Sequence, residues 1–484
     1  MTLLLAGLDV GTTTTSLMAA SANFVRNCVT GRNELGDVVP LFRPESVFTP
    51  FHGDLLDVEA IERQLDRWFA AAGLEFGAVT GGGALVTGLA ARSANSTALT
   101  QLVKNRFQNA VVASTDDPCL ESWLAFMGNS LGLSRAEPAR AFLNLDIGGG
   151  TTNVAWGVAG KVLRCGCYYV GARHVQVEPA TYRLKSLSSF ASSLFAELGI
   201  AAGAGADLAP SDVEAVLDFY VELLESLVAG HGLDQHREVA KLHCQTEFIR
   251  PVDAPLATPD AEPIITLSGG VGELVYRQAR GELLPGTTAF GDLGIDLARR
   301  ICRSPILGKN LNTHIPIGLG RATVQGLTIH STEISGSTLY LPHLEILPLV
   351  DLPILGAIGS ATSDDDLAAL FDLAARSGRG ACLRVQLEVE DRLTIKALGE
   401  RLARILARRA MPPTRPLVLL AAGNFGKTLG QYATRWGQVD ASLVVIDEVP
   451  NRPAHFATIG KPHNGLIPVA FHGLESRMDN HPVP

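Results

Sequence analysis

The sequence predicts an α/β protein of two similar half-domains facing one another across a cleft, followed by a C-terminal α/β unit. Three observations carry that expectation. A short pattern at residues 8–15 recurs at residues 145–152, each time after a mostly apolar run. A glycine-rich stretch at residues 268–272 stands between another apolar run and a helical pattern. Hydrophobic residues make up 46% and charged residues 18% of 484 positions, which calls for densely packed layers and excludes a long disordered chain. At roughly 150 residues per domain, that length suits two to four cores.

Taken in order, Leu3 to Val10 is apolar except for Gly7 and Asp9 and reads as a strand buried on both faces. Gly11 to Thr14 make a turn, and Ser16 to Ala20 return as a second strand. Residues 58–72 carry apolar positions at helical spacing and predict an amphipathic helix. The pattern Leu8-Asp9-Val10-Gly11-Thr12-Thr13-Thr14-Thr15 then reappears as Leu145-Asp146-Ile147-Gly148-Gly149-Gly150-Thr151-Thr152, between a strand at 141–145 and another at 153–158. Ile264 to Leu267 form a short strand ending in Ser268-Gly269-Gly270-Val271-Gly272, and the pattern turns helical at 273–279. The domains are set at 1–140, 141–335 and 336–484, with 175–262 an insertion of helices and a loop, and the chain is expected back at the first half after about residue 286. Pro348 and Pro353 interrupt the apolar stretch 344–355, which therefore reads as a loop or an edge strand.

The chemistry explains these residue types. A glycine just beyond a strand lets the backbone turn sharply, and successive N–H groups can converge on a phosphate. Threonine hydroxyls add donors. An aspartate two residues earlier lies at the strand end, where it can hold a hydrated Mg²⁺, which prefers carboxylate oxygen and keeps several waters. Gly11, Thr12, Thr13 and Thr14 on one side and Gly148, Gly149, Gly150, Thr151 and Thr152 on the other would grip one triphosphate, with Asp9 and Asp146 as metal ligands. Ser268, Gly269, Gly270 and Gly272 let a flat base or ribose lie against a helix N-terminus, although a plain helix-capping turn fits the same residues.

Composition removes other classes. A net charge of −9 gives no general basic field for a phosphate backbone and argues against nucleic acid as the main partner. The seven cysteines include no C-x-x-C and form neither a disulfide framework nor a zinc ribbon. The start MTLLLAGLDVG lacks a basic leader, and no apolar stretch is long enough to span a bilayer. A cytoplasmic protein without a membrane partner is expected.

In this order and spacing, the two phosphate-type turns and the glycine strand-helix turn resemble the ATPase superfamily of actin, sugar kinases and heat-shock chaperones. The resemblance implies two actin-like (ribonuclease H-like) half-domains around an interdomain nucleotide cleft. Residues 114–128 resemble its first connecting helix, whose acid positions the attacking water or the metal shell; Asp117 and Glu121 both qualify. Outside the ATPase motifs, Val86-Thr87-Gly88 with Ala91-Arg92 and Asn95, Leu120-Glu121-Ser122, Val170-Gly171-Ala172-Arg173, Arg321-Ala322-Thr323-Val324, Ser335-Gly336-Ser337-Thr338 and Ile459-Gly460-Lys461-Pro462 with Ile467-Pro468-Val469 resemble the EutA family, over residues 3 to about 470. Two departures stand out: Ala172 replaces an expected glycine, and 451–456 replaces an acidic, hydroxyl-rich stretch. The family implies a reactivating factor for ethanolamine ammonia-lyase, a weak ATPase using ATP and Mg²⁺. It would release damaged cobalamin from the lyase so that intact adenosylcobalamin can bind, handling that cofactor on the partner rather than holding it. Residence in a bacterial microcompartment and homo-oligomerisation are compatible with this.

Other readings compete. Ala421 to Thr428 after the strand 417–420 fit a P-loop if alanine is accepted for the first glycine; an ordinary strand-loop-helix turn is the default. Cys165 and Cys167 read as buried strand residues rather than metal ligands, and His455, His463 and His472 as surface histidines. The arginine-rich helix 399–409 suits a solvated face or an anionic partner, and Arg173 a structural ion pair or a phosphate contact. A small-molecule kinase and an ATP-controlled actin-like assembly protein are the alternative functions.

Overall fold

The computed structural model describes residues 2–26, 33–52, 55–107, 112–115, 118–229, 243–251, 262–336, 339–377, 379–408, 415–452, 454–462, 465–473 and 476–477. Asp117, His463, Ser337 and Thr338, singled out above, lie outside these residues.

The first sheet is built on β1 (Thr2–Val10), β2 (Thr14–Arg26), β3 (Asn33–Phe42), β4 (Val79–Val86) and β5 (Val112–Thr115), in the order β3-β2-β1-β4-β5. β1 to β3 form an antiparallel meander, while β4 and β5 add in parallel. β2 runs well past the expected end at Ala20. Helix α1 (Val58–Ala72) spans the predicted residues: Asp57 caps its N-terminus by accepting from Ala60 N, Gly73 ends it in the left-handed region, and Ile61, Leu65, Trp68 and Phe69 bury its apolar stripe.

The second sheet repeats that plan. β6 (Ala141–Ile147), β7 (Thr152–Val158) and β8 (Lys161–Tyr168) form an antiparallel meander. β9 (Cys244–Pro251) pairs with β8, and β10 (Ile264–Ser268) lies parallel to β6 on its other side. The orders β3-β2-β1-β4 and β8-β7-β6-β10 are thus the same α/β half-domain twice. Residues 175–262 hold more than helices and a loop, since β9 joins the sheet. Two helices in that stretch, Ser189–Leu198 and Pro210–Val228, bury Leu194, Phe195, Leu217, Tyr220 and Leu224 in the core of the second half.

Two helices link the halves, Pro118–Asn129 (the crossing helix) and Ala322–His330 (the return helix), and they pack on one another. The return helix also covers β1, β2 and β4. Their backbones touch through glycine: a Cβ on Gly128 would lie 1.9 Å from Ala322 O, and one on Gly326 2.0 Å from Leu124 O. No side chain fits either place.

The C-terminal sheet has seven strands, from one edge Thr332–Ile334, Pro468–His472, Phe456–Ile459, Leu349–Ile358, Ala381–Val385, Leu417–Ala421 and Leu443–Ile446. The last four are parallel and are joined by the helices Asp364–Arg376, Arg392–Leu406 and Gly426–Ala433. Those helices bury Phe371, Leu402 and Leu429 against one face. Of the stretch 344–355 expected as a loop or edge strand, Leu344–Ile346 is a single 3-10 turn outside the sheet, whereas 349–355 belong to the interior strand Leu349–Ile358. Its register shifts between Leu349 and Leu352 and again between Ile354 and Ala357, and these irregularities flank Pro353, which cannot donate to a ladder.

The glycine contact between the helices is open to test. Gly128→Ala is expected to lower stability by about 1–3 kcal/mol, the usual cost of overpacking, read as a lower urea midpoint at an unchanged slope.

Candidate functional site

The two hairpin tips have the same hydrogen-bonded turn. Gly11 N donates to Thr14 O and Gly148 N donates to Thr151 O, each at 2.9 Å. In β1–β2, Asp9 stands opposite Ser16 and Val10 opposite Thr15; in β6–β7, Asp146 stands opposite Asn153 and Ile147 opposite Thr152. Each tip is held from behind. Thr49 Oγ1 donates to Gly11 O at 2.7 Å, while Ala172 N and Arg173 N donate to Gly148 O and Gly149 O at 3.1 and 2.7 Å. The tips then meet: a Cβ on Gly149 would fall 1.9 Å from Thr13 Oγ1, and one on Gly150 3.3 Å from Thr12 Oγ1.

Between them lies a polar cavity. Asp9, Gly11, Thr12, Thr13, Thr14, Gly148, Gly149, Gly150, Thr151 and Asp146 line it, together with Glu121, Gly269 and Gly270. Its wall thus holds three carboxyls and no lysine or arginine among the described residues. Burial, and next the charge of Asp146, push the Asp9 carboxyl up to about 7. Burial lifts Asp146 to about 6, against hydrogen bonds from Ser268 (Oγ to Oδ1, 2.5 Å) and Thr323 (Oγ1 to Oδ2, 3.4 Å). Glu121 is pushed well above the usual carboxylate range by burial first, then by Asp9 and Asp146, while hydrogen bonds with Asn153 and Thr87 oppose the shift. Asp9 Oδ1, Thr13 Oγ1 and Asn153 Oδ1 are buried without a hydrogen-bond partner.

Such a wall fits a hydrated divalent cation. Carboxylate oxygens crowd together without a positive neighbour, and one oxygen of Asp9 has nothing to accept from. No group of three or more His, Cys, Asp or Glu among the described residues forms a ready metal shell. That leaves the remaining positions to water and phosphate oxygen, the usual case for Mg²⁺.

A second, more apolar cavity adjoins the first through Thr13, Thr14, Gly148, Gly149 and Gly270. It is walled by Phe48, Val271, Leu274 and Phe290, with Glu273, Arg277 and Asp292 at its polar points. It is broad and apolar enough for a flat ring beside the polar phosphate-sized space.

Not every predicted residue reaches these cavities. Thr152 is fully buried in β7 and donates to Val170 O at 2.8 Å, because the strand has already begun there. Gly272 faces Leu267, one turn inside the helix Gly269–Ala279. Ser268 acts through Asp146 rather than on the cavity. Four lining residues were not assigned a role from sequence: Ser16, Thr87, Gly320 and Thr323. Asn153, also unassigned, reaches Glu121 instead. Ser16 and Asn153 had a signal, since they face the two aspartates across duplicated hairpins.

The remaining candidates resolve individually. The P-loop-like turn does lie between the strand Leu417–Ala421 and the helix Gly426–Ala433, but carboxylates surround it. Gly426 N donates to Asp447 Oδ2 at 3.0 Å, Asn424 Nδ2 donates to Glu448, and a Cβ on Gly423 would meet Glu390 Oε2 at 2.0 Å. A phosphate would find its donor taken and the charge repulsive. Cys165 and Cys167 are buried in β8. His455 is exposed, whereas His472 is buried against Asp351 at 3.2 Å and is no surface histidine. In the arginine-rich helix, Arg401 pairs with Asp364 at 2.8 Å. Arg173 lies against Gly149 and favours the charged form of Asp292. No helix of the described residues is long and apolar enough to cross a membrane.

The family model described as ethanolamine utilisation protein EutA matches residues 1–475. Two curated proteins named ethanolamine ammonia-lyase reactivase EutA, from Salmonella typhimurium and Escherichia coli, are each 30% identical, over 98% of this chain and 98% of their own length. Among solved structures, the Aquifex aeolicus PPX-GPPA enzyme has a TM-score of 0.34 and 15% identity, over 58% of this chain and 72% of its own.

The raised carboxyls make the nucleotide-free protein sensitive to pH. A carboxyl whose folded pKa lies above its unfolded value contributes stability that is complete below the unfolded pKa and is lost as pH rises through the folded one. For Asp9 and Asp146 the window runs from 3.8 to about 7 and from 3.8 to about 6. The urea midpoint of the nucleotide-free chain should therefore carry a component that falls between pH 5 and pH 7.5. Asp9→Asn should raise the midpoint more at pH 7.5 than at pH 5.

Proposed function

Because the chain belongs to the ethanolamine utilisation protein EutA family, we propose that it is a nucleotide-dependent reactivating factor acting on ethanolamine ammonia-lyase. The observation that carries the nucleotide part is the acidic wall between the two glycine turns. A triphosphate entering a cavity with three carboxyls and no basic side chain can stay only with a divalent cation beside it. Asp9 and Asp146 would hold that ion, and a bound Mg²⁺ would neutralise phosphate charge. Glu121, held by Thr87 from the first half and Asn153 from the second, would orient a water. The adjoining cavity would take the nucleoside.

One phosphate tail contacting both turns favours the closed arrangement of the halves. A ligand shifts a conformational equilibrium only by its differential affinity for the two states, and a contact made with both turns exists only when they are close. Loss of the terminal phosphate removes that preference. In this reading the nucleotide cycle drives a change in the bound lyase that lets damaged cobalamin leave and intact adenosylcobalamin enter, the cobalamin staying on the lyase throughout.

The purified chain is expected to restore turnover to cobalamin-inactivated ethanolamine ammonia-lyase only when ATP, Mg²⁺ and fresh adenosylcobalamin are all present. No recovery under those conditions rejects the reading. Asp9→Ala and Asp146→Ala should each reduce ATP hydrolysis by about a hundredfold or more, the scale of losing one group that stabilises transition-state charge, and circular dichroism should show the fold retained.

A further inference from the structure

We propose that Arg452 is a positioning residue for the nucleotide site: by stacking on Trp123 it fixes the crossing helix that carries Glu121, and so ties the C-terminal unit to the chemistry in the cleft. The inference rests on the nucleotide-hydrolysing reading of that cleft.

Glu121 and Trp123 are two residues apart on the crossing helix Pro118–Asn129. At about 100° per residue, their side chains leave on opposite faces. Glu121 enters the cleft, where Thr87 and Asn153 hold it. Trp123 turns the other way, and the Arg452 guanidinium lies over its ring, 5.0 Å from the centroid. Arg452 comes from the segment after the strand Leu443–Ile446. Its other contact is an ion pair with Glu333, on the edge strand Thr332–Ile334. It also stands beside the half-buried His330 at the end of the return helix, where burial first and then the charge of Arg452 lower the pKa of that ring. One guanidinium thus touches both a helix that crosses between the halves and the sheet of the C-terminal unit.

The anchoring of that unit gives the contact mechanical meaning. Lys104 Nζ donates to Asp351 at 2.5 Å and Gly82 N donates to Thr332 Oγ1 at 2.8 Å, so the C-terminal unit is fixed to the first half. The crossing helix is meanwhile fixed to the second sheet, through Ser122 Oγ donating to Gly166 O at 2.9 Å. The stack of Arg452 on Trp123 therefore bridges a unit fixed to the first half and a helix that contacts both halves, and a relative movement of the halves acts on it. While the stack holds, it sets the depth of Glu121 between Thr87 and Asn153. Arg452 touches neither glycine turn, so its contribution falls on turnover rather than on nucleotide binding.

The test measures ATP hydrolysis by the full chain, without the lyase, for Arg452→Ala, Arg452→Lys, Trp123→Leu and Trp123→Phe. Arg452→Ala and Trp123→Leu should each lower kcat about tenfold with KM for ATP changed less than about twofold, since a small misplacement of a catalytic group costs rate while binding contacts survive. Trp123→Phe, which keeps an aromatic face, and Arg452→Lys, which keeps the charge for Glu333, should recover part of the loss. An unchanged kcat in both Arg452→Ala and Trp123→Leu overturns the proposal. So does a loss confined to KM. Failure to restore the lyase, combined with the expected fall in kcat, would reject the reactivation reading alone, whereas absence of any hydrolysis by the unaltered chain would overturn both.

Discussion

Three carboxyls, Asp9, Asp146 and Glu121, share one buried space without a positive side chain in its wall, and much else in the molecule is arranged around that unbalanced charge. Burial pushes all three above the usual carboxylate range, and repulsion from neighbouring carboxyls adds to the rise of Asp9 and Glu121. Hydrogen bonds restrain the rise without removing it: Ser268 and Thr323 donate to Asp146, and Thr87 and Asn153 bond to Glu121. A group of this kind is costly in the empty protein and becomes favourable when a cation arrives with its own ligands. The cost stands at the position where a charged ligand would be recognised.

Geometry brings the carboxyls together through backbone rather than side-chain packing. Each hairpin ends in a glycine turn, and the tips approach so closely that Gly149 cannot carry a Cβ beside Thr13. Behind them, the crossing and return helices touch at Gly128 and Gly326 with the same lack of room. Close backbone contact at both places leaves the halves in direct contact at the tips and again between the linking helices. A ligand bridging the tips can therefore bias the angle between the halves. Glu121 sits on the crossing helix with one partner in each half, so the same angle governs its orientation.

The sequence made the duplicated hairpins legible because Asp-x-Gly at a strand end is a local signature, and a repeat of it implies a repeat of the turn. Helix 58–72 was legible for a similar reason, its spacing and its Asp57 cap being local. The stretch 344–355 was misread where it enters Leu349–Ile358, because Pro348 and Pro353 suggest a loop or an edge, whereas register shifts on both sides admit Pro353 into an interior strand. Thr152 was credited with a phosphate contact by continuing the hydroxyl run one residue too far; the strand pairing turns it to Val170. His472 was expected at the surface, but pairing of its strand with Phe456–Ile459 buries it on Asp351.

What the sequence by itself determined is the pair of turns, the glycine strand-helix element and the family, because each depends on residues adjacent in the chain. What only the tertiary structure decided is which distant side chains converge on them. Thr87 follows a strand of the first sheet, Asn153 faces Asp146 across the second, and Thr323 lies in the first turn of the return helix. Periodicity records which face of an element is buried, but not what lies opposite that face. The contacts that position the cleft's carboxyls come from elements far apart in the chain, and only packing brings them together.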